Sequence, residues 1–306
     1  MPDHVIKLEG VTHRYPAGRG QMRTVLSEII LRISRGEFLT IVGPTGCGKS
    51  TLLRLILGSE RPSEGRVLMN DVEIREPDRD RGIVFQRYSL YENRTVRKNV
   101  MLGLELEQFS LFDPCLRPRL CRRKRREFEE KADDYLERVG LLQHADKYPH
   151  QLSGGMRQRA AIAQAMVMQP EVLLMDEPFG ALDVGTREAM QVFVLEQWRK
   201  DHQTVIFVTH DLEEAIFIGS RVIVLSQYYS EDDGSAAHGS RIVKDVSVSW
   251  PLPRPTEVKH TREFSQLMNS IRREGLDPTY LQSIREFDLS HADAVSWNED
   301  LGWEKR

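Results

Sequence analysis

Short apolar runs of strand length alternate with helix-spaced runs along most of the chain. Phe38, Leu39, Thr40, Ile41 and Val42 form one such run, suited to a strand buried on both faces and too short for a helix. Residues 52–57 then read as helical, so the glycine-rich stretch between them joins a buried strand to a helix N-terminus. Upstream, residues 5–11 read as a strand near a sheet edge, and 16–23 as an exposed loop rich in Pro, Gly and Arg. A second extended, partly alternating segment covers 25–33 and ends at the turn Ser34, Arg35, Gly36. Further strands are predicted at 66–70, 82–85, 172–175 and 204–208. Helices are predicted at 93–104, through Ala132, Leu136 and Val139, at 160–167, at 186–199 and, in the tail, at 261–273. Pro170 stops the third of these, and Pro114 and Pro118 keep a single regular helix from crossing the segment 105–130.

The stretch after Val42 carries the first candidate chemistry. Gly43, Pro44, Thr45, Gly46, Cys47, Gly48, Lys49, Ser50 and Thr51 match GxxxxGK[ST] in the strand-to-helix setting that makes it a phosphate cradle. Small residues let successive backbone N–H groups turn toward phosphate oxygens, and the helix start adds its own orphan donors. Lys49 can reach the β- and γ-phosphates, and the Ser50 hydroxyl can ligate Mg²⁺. The bland alternative is a chance glycine turn, which the joint register of Gly43, Gly48, Lys49 and Ser50 disfavours. A second anion-binding nose is Ser153, Gly154, Gly155 at the start of the 160–167 helix. One molecule seldom wraps both sites round one triphosphate, whereas two copies facing head to tail could.

Val172, Leu173, Leu174 and Met175 end in adjacent carboxylates, Asp176 and Glu177, at the C-terminal edge where α/β ligand sites lie. Asp176 suits the outer shell of Mg²⁺, and Glu177 suits polarising a water toward a γ-phosphate. Alternatively the two acids cap a helix beginning at Pro178. Gln86, after the 82–85 strand, either satisfies local backbone or reaches a metal and its attacking water. His210, after the 204–208 strand, either donates to a phosphate oxygen or bonds locally. Tyr15, by composition alone, reads as a core or hairpin aromatic.

Composition narrows the class. The chain has 306 residues, enough for one large α/β domain with an appendage or for two ordinary domains. Its 40% hydrophobic and 29% charged content is that of a globular protein, and a net charge of -3 gives no support to a nucleic-acid partner. Cys47, Cys115 and Cys121 include no CxxC pair, which argues against structural zinc or a disulfide framework and fits a reducing compartment. Charged residues by Asp3 and Lys7, and no run of 18 apolar residues, lead us to expect neither a signal peptide nor a membrane span. The run Arg122, Arg123, Lys124, Arg125, Arg126 is either a solvated insertion, a patch facing anionic headgroups or an acidic partner, or a nucleic-acid contact.

Taken together, residues 43–51, Gln86, the Leu152, Ser153, Gly154, Gly155, Met156 signature, residues 173–177, the Ala181, Leu182, Asp183 loop and His210 resemble the ATP-binding subunit of an ABC transporter. The resemblance covers roughly residues 5–226, and its texture is similar to importers of nitrate, sulfonates and taurine. It implies an α/β fold with a P-loop NTPase core of ABC type, an N-terminal antiparallel β portion and an inserted helical subdomain at about 88–169. The nucleotide-binding domain would span 1–244, and 245–306 would be a regulatory or packing extension. It further implies that Tyr15 stacks on adenine and that the 43–51 amides and Lys49 hold phosphates. Ser50, Gln86 and Asp176 would arrange Mg²⁺, Glu177 would be the general base, and His210 would sense the γ-phosphate. Ser153, Gly154 and Gly155 would close over ATP held by a second copy in a head-to-tail dimer, with Asp183 communicating across it. Expected partners are transmembrane permease subunits and a solute-binding protein, with no nucleic acid, and the expected place is the cytoplasmic side of the cell membrane. Export, lipid movement, and a soluble nucleic-acid role are the alternatives to import. Residues 89–94, Ser89 to Arg94, stand where importers of small organic anions often carry a Leu-Pro-Trp-like run.

Overall fold

A computed structural model describes residues 4–18, 20–87, 89–109, 118–231, 234–235, 237–248, 250, 252, 254–298 and 302–305. Tyr88, Pro114 and Cys115 lie outside the described residues. The chain divides into two compact units, residues 1–78 with 202–306 and residues 79–201.

The first unit opens with β1 (His4–Pro16) and β2 (Met22–Ser34), followed by β3 (Phe38–Val42), α1 (Lys49–Leu57), β4 (Glu64–Met69) and β5 (Val72–Glu73). Strands β2, β1, β4 and β5 form an antiparallel sheet in that order, the expected N-terminal β portion. The loop anticipated at 16–23 is shorter than the sequence suggested. Pairing runs on through Tyr15↔Arg23 and Pro16↔Met22, and Ala17 N donates to Gln21 O at 2.9 Å. The ladder is sustained by backbone hydrogen bonds, which need no apolar side chains, so residue composition did not mark its end. Asn70 and Asp71, both at positive φ, form the two-residue turn between β4 and β5 that such tight hairpins require.

The second unit interrupts the first. It holds β6 (Arg81–Val84), α2 (Val96–Gln108), α3 (Pro118–Arg138), α4 (Gly154–Met166), β7 (Val172–Asp176) and α5 (Val184–Asp201). β6 and β7 are parallel, with Arg81↔Val172 through Val84↔Met175 in register. Helices α2, α3 and α4 pack on one another. α3 buries Cys121, Phe128, Ala132, Tyr135 and Leu136, a stripe at helical spacing. Burial pushes the Tyr135 hydroxyl up to about 12. α2 ends beyond the predicted boundary, and α3 begins at Pro118, where proline's fixed φ suits a first helical position.

The first unit resumes with β8 (Thr204–Val208), α6 (Leu212–Ile218), β9 (Arg221–Ser226), β10 (Tyr229–Ser230), β11 (Arg241–Ser247), α7 (Arg262–Ile271), β12 (Gln282–Ser283), β13 (Val295–Asn298) and β14 (Gly302–Lys305). In this unit β3 lies between β9 and β8, parallel to both, which buries all five of its residues. β11 adds to the far side of β9 in antiparallel sense and runs through residue 245. Buried ion pairs hold this region. Arg221, fully buried, donates to both Asp245 oxygens at 2.6 Å and to Arg32 O at 2.8 Å. Burial disfavours its charge, but the hydrogen bonds and negative charges of Asp245 and Glu37 together outweigh that and hold its pKa above the ordinary value. Lys244 pairs with Glu274 and Asp288 at 2.6 Å each. Arg254 donates to the Ile216 and Phe217 carbonyls at the end of α6, and burial pushes its pKa down to about 10. Among the described residues no helix is long and apolar enough to cross a membrane.

Candidate nucleotide site

In the first unit the loop 43–51 leaves the buried end of β3 and enters α1 at Lys49. A Cβ on Gly43 would lie 2.1 Å from the Leu225 carbonyl oxygen, so the loop begins backbone against backbone and admits no side chain there. Gly48 is the N-cap of α1 at φ +100, and no side chain caps the helix among the described residues. The first-turn N–H groups of α1 therefore have no side-chain competitor for an anion. Thr45 and Gly46 are exposed, Pro44 and Ser50 half-buried, and Cys47 and Thr51 buried. Lys49, 8% exposed, arches back so that Nζ donates to Gly43 O at 2.7 Å and Pro44 O at 3.1 Å. Burial raises the Cys47 thiol above its usual range, which keeps it protonated and unreactive beside that ammonium.

Tyr15 is the penultimate residue of β1. Its hydroxyl donates to Glu60 Oε2 at 2.5 Å, accepts from Arg54 at 3.1 Å, and lies 3.4 Å from Thr51 Oγ1. Its ring meets His13 edge-on, with centroids 4.7 Å apart. The hydroxyl is thus pinned to α1 and the segment after it, leaving a half-buried ring fixed in direction. His210 is exposed two residues past β8, next to buried Thr209, whose hydroxyl donates to Glu214 at 2.6 Å.

In the second unit β6 and β7 present Gln86 and the acid pair at or just beyond their C-terminal ends. Gln86 Nε2 donates to Glu177 Oε2 at 3.0 Å, so these two predicted residues do meet. Asp176 is the last residue of β7, and Glu177 sits at φ +47, a left-handed conformation rare for a residue with a side chain. The helix-capping alternative for this acid pair fails, since the next helix starts at Val184 and is capped by Asp183 through Thr186 N at 3.0 Å. That bond, with the Thr186 hydroxyl, holds the Asp183 carboxyl below the usual carboxylate range. Ser153 is the N-cap of α4, accepting from Met156 N at 3.2 Å, and Gly154 is open to solvent on the side a Cβ would occupy. A Cβ on Gly155 would lie 3.3 Å from both Ala181 O and Leu182 Cδ2, so the second anion nose packs directly on the Asp183 loop.

A family profile described as ABC transporter matches residues 26–180, more than half of the chain. The chain belongs to the ABC transporter ATP-binding family. The nitrate import ATP-binding protein of Synechocystis sp. is 42% identical over 85% of this chain and 91% of its own length. The aliphatic sulfonates import ATP-binding protein of Bacillus licheniformis is 39% identical over 78% of this chain and 83% of its own. Among solved structures, a dimeric, post-hydrolysis ATP-binding cassette bound to ADP and phosphate superimposes with a TM-score of 0.66 at 30% identity, covering 80% of this chain and all (100%) of that one.

An ABC ATP-binding subunit must seat a triphosphate, and the residues present fit one. The loop offers uncapped helix donors, and Lys49 holds its ammonium across the loop with no carboxylate paired to it among the described residues. Among the described residues no cluster of three or more His, Cys, Asp or Glu forms a metal cage. That is compatible with Mg²⁺, which keeps several waters and takes few protein ligands besides phosphate oxygens. Sequence reasoning missed Asn99, fully buried on α2. It accepts from Tyr91 N at 2.7 Å and donates to the Tyr91, Arg94 and Thr95 carbonyls at 3.0–3.1 Å. Asn99 therefore fixes the shape of residues 91–95, ahead of α2. Its only sequence signal is a polar residue on the apolar face of a predicted helix.

Proposed function

We propose that the chain hydrolyses ATP to drive import of a small anion, of the nitrate or sulfonate kind, through separate membrane permease subunits. The observation that carries the hydrolytic part is Glu177, held by Gln86 at 3.0 Å on a left-handed backbone directly after Asp176. A carboxylate so constrained is suited to take a proton from an attacking water, and strain of this kind persists where position matters to chemistry. Lys49 and the 43–51 amides hold the phosphates, Ser50, Gln86 and Asp176 arrange Mg²⁺, Tyr15 stacks on adenine, and His210 contacts the γ-phosphate. When bound, Mg²⁺ neutralises charge that develops on the phosphate oxygens. Ser153, Gly154 and Gly155 close over ATP held by a second copy, and Asp183 links the two. The nitrate and sulfonate import relatives support the direction and the solute class. The subunit works at the cytoplasmic face of the membrane, supplied by a solute-binding protein.

The test is uptake of labelled nitrate, taurine and an alkanesulfonate in cells lacking the gene, complemented by the parent or by Lys49→Ala. Restored uptake of one of these by the parent alone is the expected result, together with weakened ATP binding by the purified variant. Unchanged uptake with impaired efflux of a solute would overturn the import reading.

A further inference from the structure

The N-terminal half of α3 carries a charge distribution that its own helix does not favour. Residues 118–126 contain six cations, Arg119, Arg122, Arg123, Lys124, Arg125 and Arg126, and no acid. A helix N-terminus bears the positive end of the macrodipole and is stabilised by acids, yet α3 has none in its first turn. Three of the cations are compensated locally: Arg123 and Lys124 each lie 3.3 Å from Glu127, and Arg125 lies 3.0 Å from Glu105. The other three are not. Arg119, Arg122 and Arg126 are exposed, stand at i, i+3 and i+7 on one face of α3, and have no carboxylate partner among the described residues. They lie opposite the buried stripe of Cys121 and Phe128, so the helix shows core on one side and unpaired guanidinium groups on the other.

Apolar side chains flank this stripe. Leu120, beside Arg119 near the start of α3, is 45% exposed, and Leu106 on α2, next to the Glu105 that Arg125 reaches, is 72% exposed. Exposed leucines beside a row of uncompensated arginines are the signature of a surface that sits shallowly in a lipid interface. Single-stranded nucleic acid would instead call for exposed aromatic stacking platforms among the cations; the exposed apolar neighbours among the described residues are leucines, and Phe109 is packed against Phe128 with ring centroids 5.8 Å apart. An acidic protein loop would pair with the arginines but would gain nothing from leaving two leucines in water.

We propose that this end of the α2–α3 hairpin binds the anionic headgroups of a lipid bilayer, with Arg119, Arg122 and Arg126 as the electrostatic contacts and Leu106 and Leu120 as the apolar ones. This goes beyond the hydrolytic reading and does not depend on it. The surface would give the subunit a membrane contact of its own, separate from any permease.

The experiment is co-flotation of the purified full chain with phosphatidylcholine vesicles, with and without phosphatidylglycerol. Binding is expected only to the anionic vesicles and should weaken as salt rises, because exposed charges are screened. Each arginine at such a surface contributes on the order of fivefold, so R119Q/R122Q/R126Q should lower partitioning on the order of 100-fold. Leu106→Ser with Leu120→Ser should lower it severalfold. ATP affinity measured on the same samples should not change, which separates failure of this proposal from failure of the hydrolytic one. Equal binding to neutral vesicles, unchanged binding by the triple variant, or preferential capture by polyglutamate or a single-stranded oligonucleotide would each overturn it. Removing cations from a helix N-terminus does not oppose the dipole, so the triple variant should melt no lower than the parent. If it nevertheless fails to fold, the salt titration of the parent decides: binding indifferent to salt rules the proposal out.

Discussion

Glu177→Gln separates chemistry from structure at the acid pair. The new side chain has the same shape, and its amide oxygen can still accept from Gln86 Nε2, now at 3.0 Å from the carboxylate. The left-handed backbone at φ +47 costs about 1–2 kcal/mol for any residue with a Cβ, and that cost is the same for glutamate and glutamine. Stability should therefore stay within about 0.5 kcal/mol of the parent, the range of substitutions that remove no packed contact. Hydrolysis should not. A positioned general base supplies about 10²–10⁴ in rate, or roughly 3–5 kcal/mol of barrier, and an amide cannot take the proton. Glu177→Gly sharpens the comparison. It relieves the left-handed cost but adds about 0.5–1 kcal/mol of chain entropy and loses an exposed hydrogen bond of similar size. It should melt close to the parent while hydrolysing as poorly as the glutamine variant. The assay is steady-state phosphate release beside equilibrium ATP binding and thermal melting on all three proteins. Turnover by Glu177→Gln within tenfold of the parent, or a loss of ATP affinity as large as the loss of rate, would refute the reasoning.

Tyr15→Ala should weaken apparent ATP affinity more than it lowers maximal rate, whereas Tyr15→Phe, which keeps the ring but loses the bonds to Glu60 and Arg54, should fall between; steady-state kinetics at varied ATP checks the order. Ser153→Arg should leave ATP binding by the isolated subunit intact but prevent Mg-ATP-dependent dimerisation in the Glu177→Gln background, as read by light scattering. Because Ser153 also caps α4, the variant should lose about 1 kcal/mol of stability, which melting will show separately. His291 accepts from Asp293 N at its Nδ1, and burial, aided by the Arg221 charge, holds its pKa below 6.5. The unfolded chain is then the first to take up the proton as pH falls past 6.5, so the stability this histidine contributes is full above that pH and declines below it. Melting temperatures of the parent and His291→Gln should diverge above pH 6.5 and converge as pH drops; parallel curves would exclude the linkage.

The parts of the site that were legible in the sequence are those whose chemistry demands particular residue types at fixed backbone spacing. A phosphate cradle needs glycine at 43 and 48, lysine at 49 and a hydroxyl at 50, all within one turn, so the text alone declares it. The acid pair was legible for a similar reason, because an apolar strand ending in carboxylates admits few roles. What stayed hidden depends on pairings across long sequence separations. Nothing local told that Tyr15 would hand its hydroxyl to Glu60, or that Gln86 would reach Glu177 ninety-one residues later. The left-handed turn at Glu177 was hidden too, because a glutamate gives none of the warning that a glycine does. In the fold, the core strand β3 and the strands β7 and β8 were clear from their short, mostly apolar runs, whereas β1 and β2 ran further than their apolar positions.

The tail shows the same division from the other side. Its sequence carries no motif, yet Asp245 answers a need created in the core. Arg221 begins β9, the neighbour of the phosphate-loop strand β3, and its side chain is wholly buried. An unpaired buried guanidinium would cost several kcal/mol, a large part of a domain's net stability of about 5–15 kcal/mol. Asp245 on β11 meets it with two bonds of 2.6 Å, and Glu37, at the start of the run into β3, adds a weaker contact at 3.3 Å. Burial pushes the Glu37 carboxyl up, so it is the less secure of the two partners. Strand β11 is therefore a condition for the charge that β9 carries. Through β9 it also supports the Leu225 carbonyl against which Gly43 packs. An ion pair has no periodicity, so neither residue announces the other in the sequence. The dependence runs from a motif-free tail to the first glycine of the phosphate cradle.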